Sequence, residues 1–375
     1  MPLSPRLSND VFIHVPQHLL ALKPPGNNDS IRVIFYLTGN PGLLSYYHEY
    51  LALLASSEEG RDYVIVGFSL GGFEDVELDE NDNDLLFPDA VAGKRGAKTR
   101  GEDAEWWRLE EQVNLAVARI DEVVRRLGRS AKVTLMGHSV GTWLALEVVS
   151  CAAERRERMH EPVADASGVL GVGANPAEVL DWDIEACVLL APTIVDLAKS
   201  PSGIKAAPIM ARLSFLPWLL QLMAAGLAWA LSESAIQWLI GRFMGLDANL
   251  EGVRTTARFL QSPGGVRQAL EMAKEELVSI SADGWGPEVW GVGDAVESSA
   301  WNGQGGPLMY FLFAQKDHWI GDRTRNDIIR TRGRHDGRGS VVVDEKKGLV
   351  HAWCLRQNRA VSEYVKPWLE DVKRS

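Results

Sequence analysis

Residues 132–149 pass from an apolar run (KVTLMG) through Gly137-His138-Ser139-Val140-Gly141 into the apolar, helix-forming run TWLALEVV. A strand that turns so sharply into a helix leaves its apical serine projecting above a sheet. Small residues two positions to either side let the backbone bend that closely. Such a turn needs a buried strand before it and a helix packed back on the sheet after it. That restricts the chain to an alternating α/β architecture.

The remaining sequence repeats the alternation. Apolar, β-branched or aromatic runs at 30–37, 63–67, 184–191, 308–314 and 340–343 read as further strands, and their continuity predicts a parallel sheet covered on both faces. Leu109, Val113, Ala116, Ile120, Val123, Val124 and Leu127 follow helical spacing, with Gly128 placed as a C-terminal cap. Val361, Tyr364, Val365 and Trp368 make a second stripe, which Pro367 is expected to bend. The fold class expected is α/β, a mostly parallel, doubly wound sheet.

Two stretches, 74–103 and 152–177, have little apolar periodicity and read as mobile surface insertions. Between about 204 and 301 the strands give way to helical, Trp-containing sequence. A helical cap is therefore expected there, between core segments 1–203 and 302–375.

Within the cap no charge occurs from Leu213 to Ser232, close to the roughly 20 residues that span a bilayer core. The segment 213–231 is apolar all round, with Trp218 and Trp229 near its ends, where aromatic rings settle at an interface. Strands before and after it must lie on one side to complete one sheet, so spanning is not expected. A monotopic insertion through Leu216, Trp218, Leu219, Leu222 and Trp229 is expected instead; a plain soluble lid is the alternative.

The net charge of −11 repels phosphate backbones, so no nucleic-acid partner is expected. Cys151, Cys187 and Cys354 lack metal or disulfide spacing, and no HExxH, EF-hand or P-loop pattern occurs. No metal and no cofactor are expected. Residues 1–6 lack the apolar run of a signal peptide, so secretion is not expected either.

Serine nucleophiles on such turns work with an acid and a histidine, in the chain order Ser, Asp or Glu, His. A second match, Gly67-Phe68-Ser69-Leu70-Gly71, is followed by an acidic run and no helix, so Ser139 is preferred to Ser69. His160 comes too early, His335 sits among Arg and Gly, and His318 shares a loop with the best acid. His351, between the last strand and the last helix, is the base expected. Asp317, just past the strand 308–314, is the acid expected, with Asp322, Asp344 and Asp196 as rivals. The N–H groups of Val140 and Asn40 are the expected oxyanion donors, because Pro41 has none.

Several motifs resemble one known family. They are Gly39-Asn40-Pro41-Gly42 with Tyr46-Tyr47, LEEQV at 109–113, and Gly137 to Gly141. Pro192-Thr193-Ile194 leading to Ser200-Pro201-Ser202-Gly203, then Asp317-His318-Trp319 and His351-Ala352, complete the set. The chain resembles the lipid droplet-associated hydrolases, a branch of the α/β-hydrolase fold. That resemblance implies Ser139 as nucleophile, Asp317 as acid and His351 as base. It also implies hydrolysis of a lipid ester (a sterol ester or acylglycerol) at the lipid-droplet monolayer and the endoplasmic reticulum membrane. Departures are Thr38, where the family has proline, the two insertions and a longer 317–351 spacing. A soluble esterase or thioesterase, and a droplet-coating or tethering protein with little turnover, are the competing readings.

Overall fold

The computed structural model describes residues 3–20, 30–74, 86, 88, 106–160, 163–164, 170–171, 181–247, 250–290, 306–333 and 339–375. Eight strands form one sheet: β1 (Arg6–Leu7), β2 (Val11–His14), β3 (Ile31–Leu37), β4 (Val64–Phe68), β5 (Ala131–His138), β6 (Trp182–Leu190), β7 (Leu308–Ala314) and β8 (Gly339–Asp344). Their spatial order is β1-β2-β4-β3-β5-β6-β7-β8. From β4 onward every pairing is parallel, whereas β1 pairs with β2, and β2 with β4, antiparallel. This is the α/β-hydrolase arrangement, and all six expected strands occur in it. The two antiparallel strands are too short to carry a periodic signal.

Helices cover both faces, and neighbouring residues of β3 show why. Tyr36 packs on Tyr50 of α1 (His48–Ala55), while Phe35 meets Phe68, over which lies the guanidinium of Arg119 from α2 (Leu109–Leu127). Successive strand residues point to opposite faces, so α1 and α2 lie on opposite sides of the sheet. Gly128 ends α2 in the left-handed region at φ 65°, as its cap position requires. After β5 comes α3 (Val140–His160), which packs on α2.

The described residues correct the expectation for both insertions. Helix α3 runs to His160, and Ala152, Ala153 and Arg156 are buried, so the second insertion cannot begin at 152. The charges at 154–158 sit on a helix that small residues hold against the core. Of 74–103, only residues 74, 86 and 88 are described. Leu86 is fully buried and its carbonyl accepts from Arg119, which also pairs with buried Glu74. At these points the first insertion packs as structure rather than as solvated loop. The rest of it lies outside the described residues.

Between β6 and β7 the chain forms α4 (Gly203–Arg212), α5 (Leu216–Ala230), α6 (Glu233–Met244), α7 (Glu251–Gln261) and α8 (Gly265–Ser279). Helix α9 (Asp322–Arg332) follows β7. The last helix, α10 (Asn358–Arg374), contains Pro367 and packs on α1.

Ser69, at the end of β4, is fully buried. Its hydroxyl accepts the N–H of Leu44 at 3.0 Å, and its carbonyl accepts from Arg119. It is a structural serine. Ser69→Ala leaves a buried N–H without a partner, so the variant is expected to lose about 1–3 kcal/mol in urea denaturation. An unchanged midpoint would mean that the bond carries no weight.

Candidate active site

The turn after β5 is built by exclusion of side chains. A Cβ on Gly137 would lie 2.3 Å from the carbonyl oxygen of Gly141, and one on Gly141 would lie 2.3 Å from that of Leu37. Only hydrogen fits at either position, so β5, the start of α3 and the end of β3 close on one another. Ser139 sits at the apex with φ 53°, a region L-residues seldom adopt.

The Oγ of Ser139 lies 2.9 Å from Nε2 of His351, whose Nδ1 lies 2.7 Å from Oδ2 of Asp317. Burial alone would push the Asp317 carboxyl upward. The His351 hydrogen bond, the His351 charge and the N–H of Trp319 together hold it below the usual carboxylate range. The fold thus brings together, across β5, β7 and β8, the three residues that chain order and strand position single out.

The rival acids are engaged elsewhere. Asp344 accepts from the N–H groups of Lys347 and Leu349 and from the hydroxyl of Tyr364, bracing the turn that leads to His351. Asp322 pairs with Arg325 at 3.0 Å, and Asp196 with Lys199 at 2.7 Å. His318 Nδ1 meets the Ser202 hydroxyl at 2.9 Å, and its carbonyl accepts the Ser202 N–H. That contact joins the 200–203 motif to the 317–319 motif. His160 closes α3, and His335 lies outside the described residues.

His138 has a role that the sequence did not disclose. Its Nε2 is 2.9 Å from the carbonyl of His351, and its Nδ1 is 2.7 Å from the hydroxyl of Tyr47. A carbonyl only accepts, so Nε2 carries the proton and Nδ1 accepts from Tyr47. The Tyr47 oxygen in turn accepts the N–H of Gly39 at 3.1 Å. Burial first, and the charge of His351 second, hold the His138 pKa down at about 3, so the ring stays neutral. The paired tyrosines at 46–47 were the signal; only the fold reveals what Tyr47 touches.

Asn40 and Val140 flank Ser139, and among the described residues neither N–H is taken up by a backbone carbonyl. The Asn40 side chain turns to the cap, where its Nδ2 donates to the carbonyl of Ala269 at 2.9 Å and to Oε1 of Glu276 at 2.8 Å. Ser139 and His351 open on a cavity of about 390 Å³ lined mainly by apolar side chains, among them Leu197, Met210, Phe259, Leu277, Trp319 and Leu355. Among the described residues no group of His, Cys, Asp or Glu is placed to hold a metal ion.

The apolar segment 213–231 forms one helix, α5, set off from α4 by a sharp bend. Arg212 ends α4 and Leu216 begins α5; the two bend by 96°, and among the described residues no single helix is long and apolar enough to cross a membrane. Helix α5 buries Pro217, Gln221 and Ala224, while Phe215, Trp218, Leu219, Leu222, Met223 and Trp229 are exposed. Leu216, at the start of the helix, is half-buried. Trp238 and Phe243 of α6 extend the exposed apolar face. Phe243 is 93% exposed and Trp229 90%, so neither packs closely against the described residues.

A family model described as lipid-droplet associated hydrolase matches residues 30–354. The lipid droplet-associated hydrolase of Gallus gallus is 21% identical over 347 residues, covering 91% of this chain and 85% of that protein. Its counterpart in Mus musculus is 21% identical over 340 residues with the same coverage. Among solved structures, a haloalkane dehalogenase from Bradyrhizobium elkani aligns over 93% of both chains at 13% identity and TM-score 0.48. A thermophilic esterase from Thermogutta terrifontis aligns over 92% of both chains at 12% identity and TM-score 0.47. The family match spans both sides of the cap and includes Ser139, Asp317 and His351, and the chain belongs to the lipid-droplet associated hydrolase family.

Proposed function

We propose that this protein hydrolyses carboxylic esters of lipids, such as sterol esters or acylglycerols, through Ser139, His351 and Asp317. The observation that carries this reading is the hydrogen-bonded series from Ser139 to Asp317 at an apolar cavity. Ser139 Oγ attacks the ester carbonyl while His351 Nε2 takes its proton. Asp317 keeps the proton of Nδ1 in place and stabilises the imidazolium. The developing oxyanion takes the N–H groups of Asn40 and Val140. Collapse releases the alcohol, to which His351 returns the proton, and leaves an acyl-enzyme. Water activated by the same histidine then frees the fatty acid. The apolar wall suits an acyl chain or sterol body, and its scarcity of charge leaves the ester carbonyl as the polar group to be recognised.

The same proposal places the exposed face of α5 and α6 in the monolayer of a lipid droplet and at the endoplasmic reticulum membrane. Apolar patches of this breadth mark contact with a partner or a lipid surface. Met244 is both exposed beside Phe243 and part of the cavity wall, so the lipid face borders the entrance. Helix α5, with 15 residues, is about 22 Å long, enough to lie in one leaflet and too short to cross a bilayer core.

A fluorophosphonate probe is expected to label the wild type and Ser69→Ala but not Ser139→Ala. His351→Ala and Asp317→Asn are expected to lower kcat on a short-chain ester by about 10³- to 10⁴-fold, with no further loss when combined with Ser139→Ala. Labelling of folded Ser139→Ala would remove Ser139 from the reaction.

Replacing Trp218, Leu222, Trp229 and Phe243 with Ser or Gln is expected to abolish flotation with artificial droplets. Turnover of a soluble short-chain ester should stay within about two-fold, since these side chains lie outside the core. Unchanged flotation would overturn the monolayer assignment.

A further inference from the structure

The oxyanion loop is held by a carboxyl group from the cap. Asn40 gives both protons of its side-chain amide to α8: one to the carbonyl of Ala269, the other to Oε1 of Glu276. Glu276 is only 6% exposed and lines the same cavity as Ser139 and His351, yet among the described residues no cation pairs with it. A buried carboxylate without a counter-charge is costly, and one beside a developing oxyanion would also oppose the reaction. The neutral acid avoids both penalties. Its carbonyl oxygen still accepts from Asn40, and its other oxygen carries the proton.

We propose that Glu276 is a positioning residue for this reaction: as a neutral acid it fixes the Asn40 side chain, and so points the Asn40 N–H at the oxyanion above Ser139. The proposal rests on the ester-hydrolase reading and deepens it. Asn40 touches the reacting oxygen through its backbone, whereas Glu276 acts only through Asn40. The Gly39 N–H on Tyr47 and the Gly42 carbonyl, which accepts from Leu70, hold the loop from the core side, and the Asn40 side chain ties it to the cap through α8.

The electrostatics agree with this geometry. Burial pushes the Glu276 carboxyl up to about 8; the Asn40 bond lowers it by less than burial raises it, and the neighbouring charge of Glu275 adds a smaller rise. The charged residues on the elements packed against α8, such as Lys199, Lys205 and Arg258, exert no comparable pull. Among the groups sharing the cavity, burial raises Tyr46 and Tyr47 far above neutrality, pushes Cys354 up to about 12 and, with the charge of His351, holds His138 at about 3. An activity loss centred near pH 8 is therefore the signature of Glu276. Its sign follows from the raised value: the acid is neutral and the site competent below that pH, and ionisation above it brings a negative charge to the oxyanion loop.

The test is the pH dependence of kcat and KM on p-nitrophenyl butyrate, read on the rate that Ser139→Ala removes. For the wild type kcat is expected to fall above pH about 8. Glu276→Gln, neutral at every pH and still an acceptor for Asn40, is expected to keep kcat near neutrality and to lose the alkaline fall. Glu276→Ala and Asn40→Ala should each lower kcat by about ten-fold or more with little change in KM, and the double variant should add nothing. An alkaline fall that persists in Glu276→Gln, or wild-type kcat in Glu276→Ala, would overturn the proposal. If Glu276→Ala does not fold, the profile of Glu276→Gln decides alone. Absence of any rate dependent on Ser139 would instead reject the underlying ester-hydrolase reading.

Discussion

The site depends on one neutral imidazole. His138 lies beneath the turn with a proton on Nε2 and a lone pair on Nδ1, and each has a single partner: the His351 carbonyl and the Tyr47 hydroxyl. Through these bonds and the Gly39 N–H on Tyr47, the ring ties together the loop after β3, the turn after β5 and the loop after β8. Charging it would turn Nδ1 into a donor, reverse the direction of the Tyr47 bond and place a cation beside the ring of His351. Burial prevents this by holding the ring neutral, which leaves the hydrogen bonds free to fix geometry. The Trp353 indole, edge-on to His138, Tyr47 and Tyr50, closes the remaining side.

Much of this architecture was legible in the sequence, and the limits follow from physical range. The strands were readable because both faces of a parallel sheet are buried, giving continuous apolar runs. Ser139 was distinguishable from Ser69 because one turn leads into a helix and the other does not. His351 and Asp317 followed from chain order and from their places after strands. By contrast, β1 and β2 are shorter than any periodic signal. The bond from Asn40 to Glu276 joins residues 236 positions apart, so no local pattern contains it. Arg156 reads as part of a surface charge run, yet it is buried where α3 packs. Composition alone cannot separate a solvated run from a helix that turns one residue inward.

The cap reverses the usual order of an amphipathic helix. In α5 the buried residues are Pro217, Gln221 and Ala224, while most of the large apolar side chains face outward. An uncharged apolar run therefore marks the segment in the sequence while concealing which of its sides is free. For a helix against water that order is unfavourable, since apolar surface left exposed forgoes about 25 cal/mol per Å². Against a lipid surface the same face is matched to its surroundings.

Gln221 explains why α5 does not simply roll over to bury its tryptophans. Its side-chain amide donates to the Ser262 carbonyl at 3.0 Å and accepts the Arg267 N–H at 3.1 Å, both at the junction of α7 and α8. Rotation about the helix axis would withdraw both partners and leave backbone groups unsatisfied, at about 1–3 kcal/mol for each one buried. The inward glutamine thus acts as a register pin that keeps the aromatic side outward. Helix α8, which receives this pin at its first turn, also carries Ala269 and Glu276, which hold the Asn40 loop. One helix is therefore bonded at one end to the element with the apolar face and along its length to Asn40, so the orientation of that face and the geometry above Ser139 are set by the same packing.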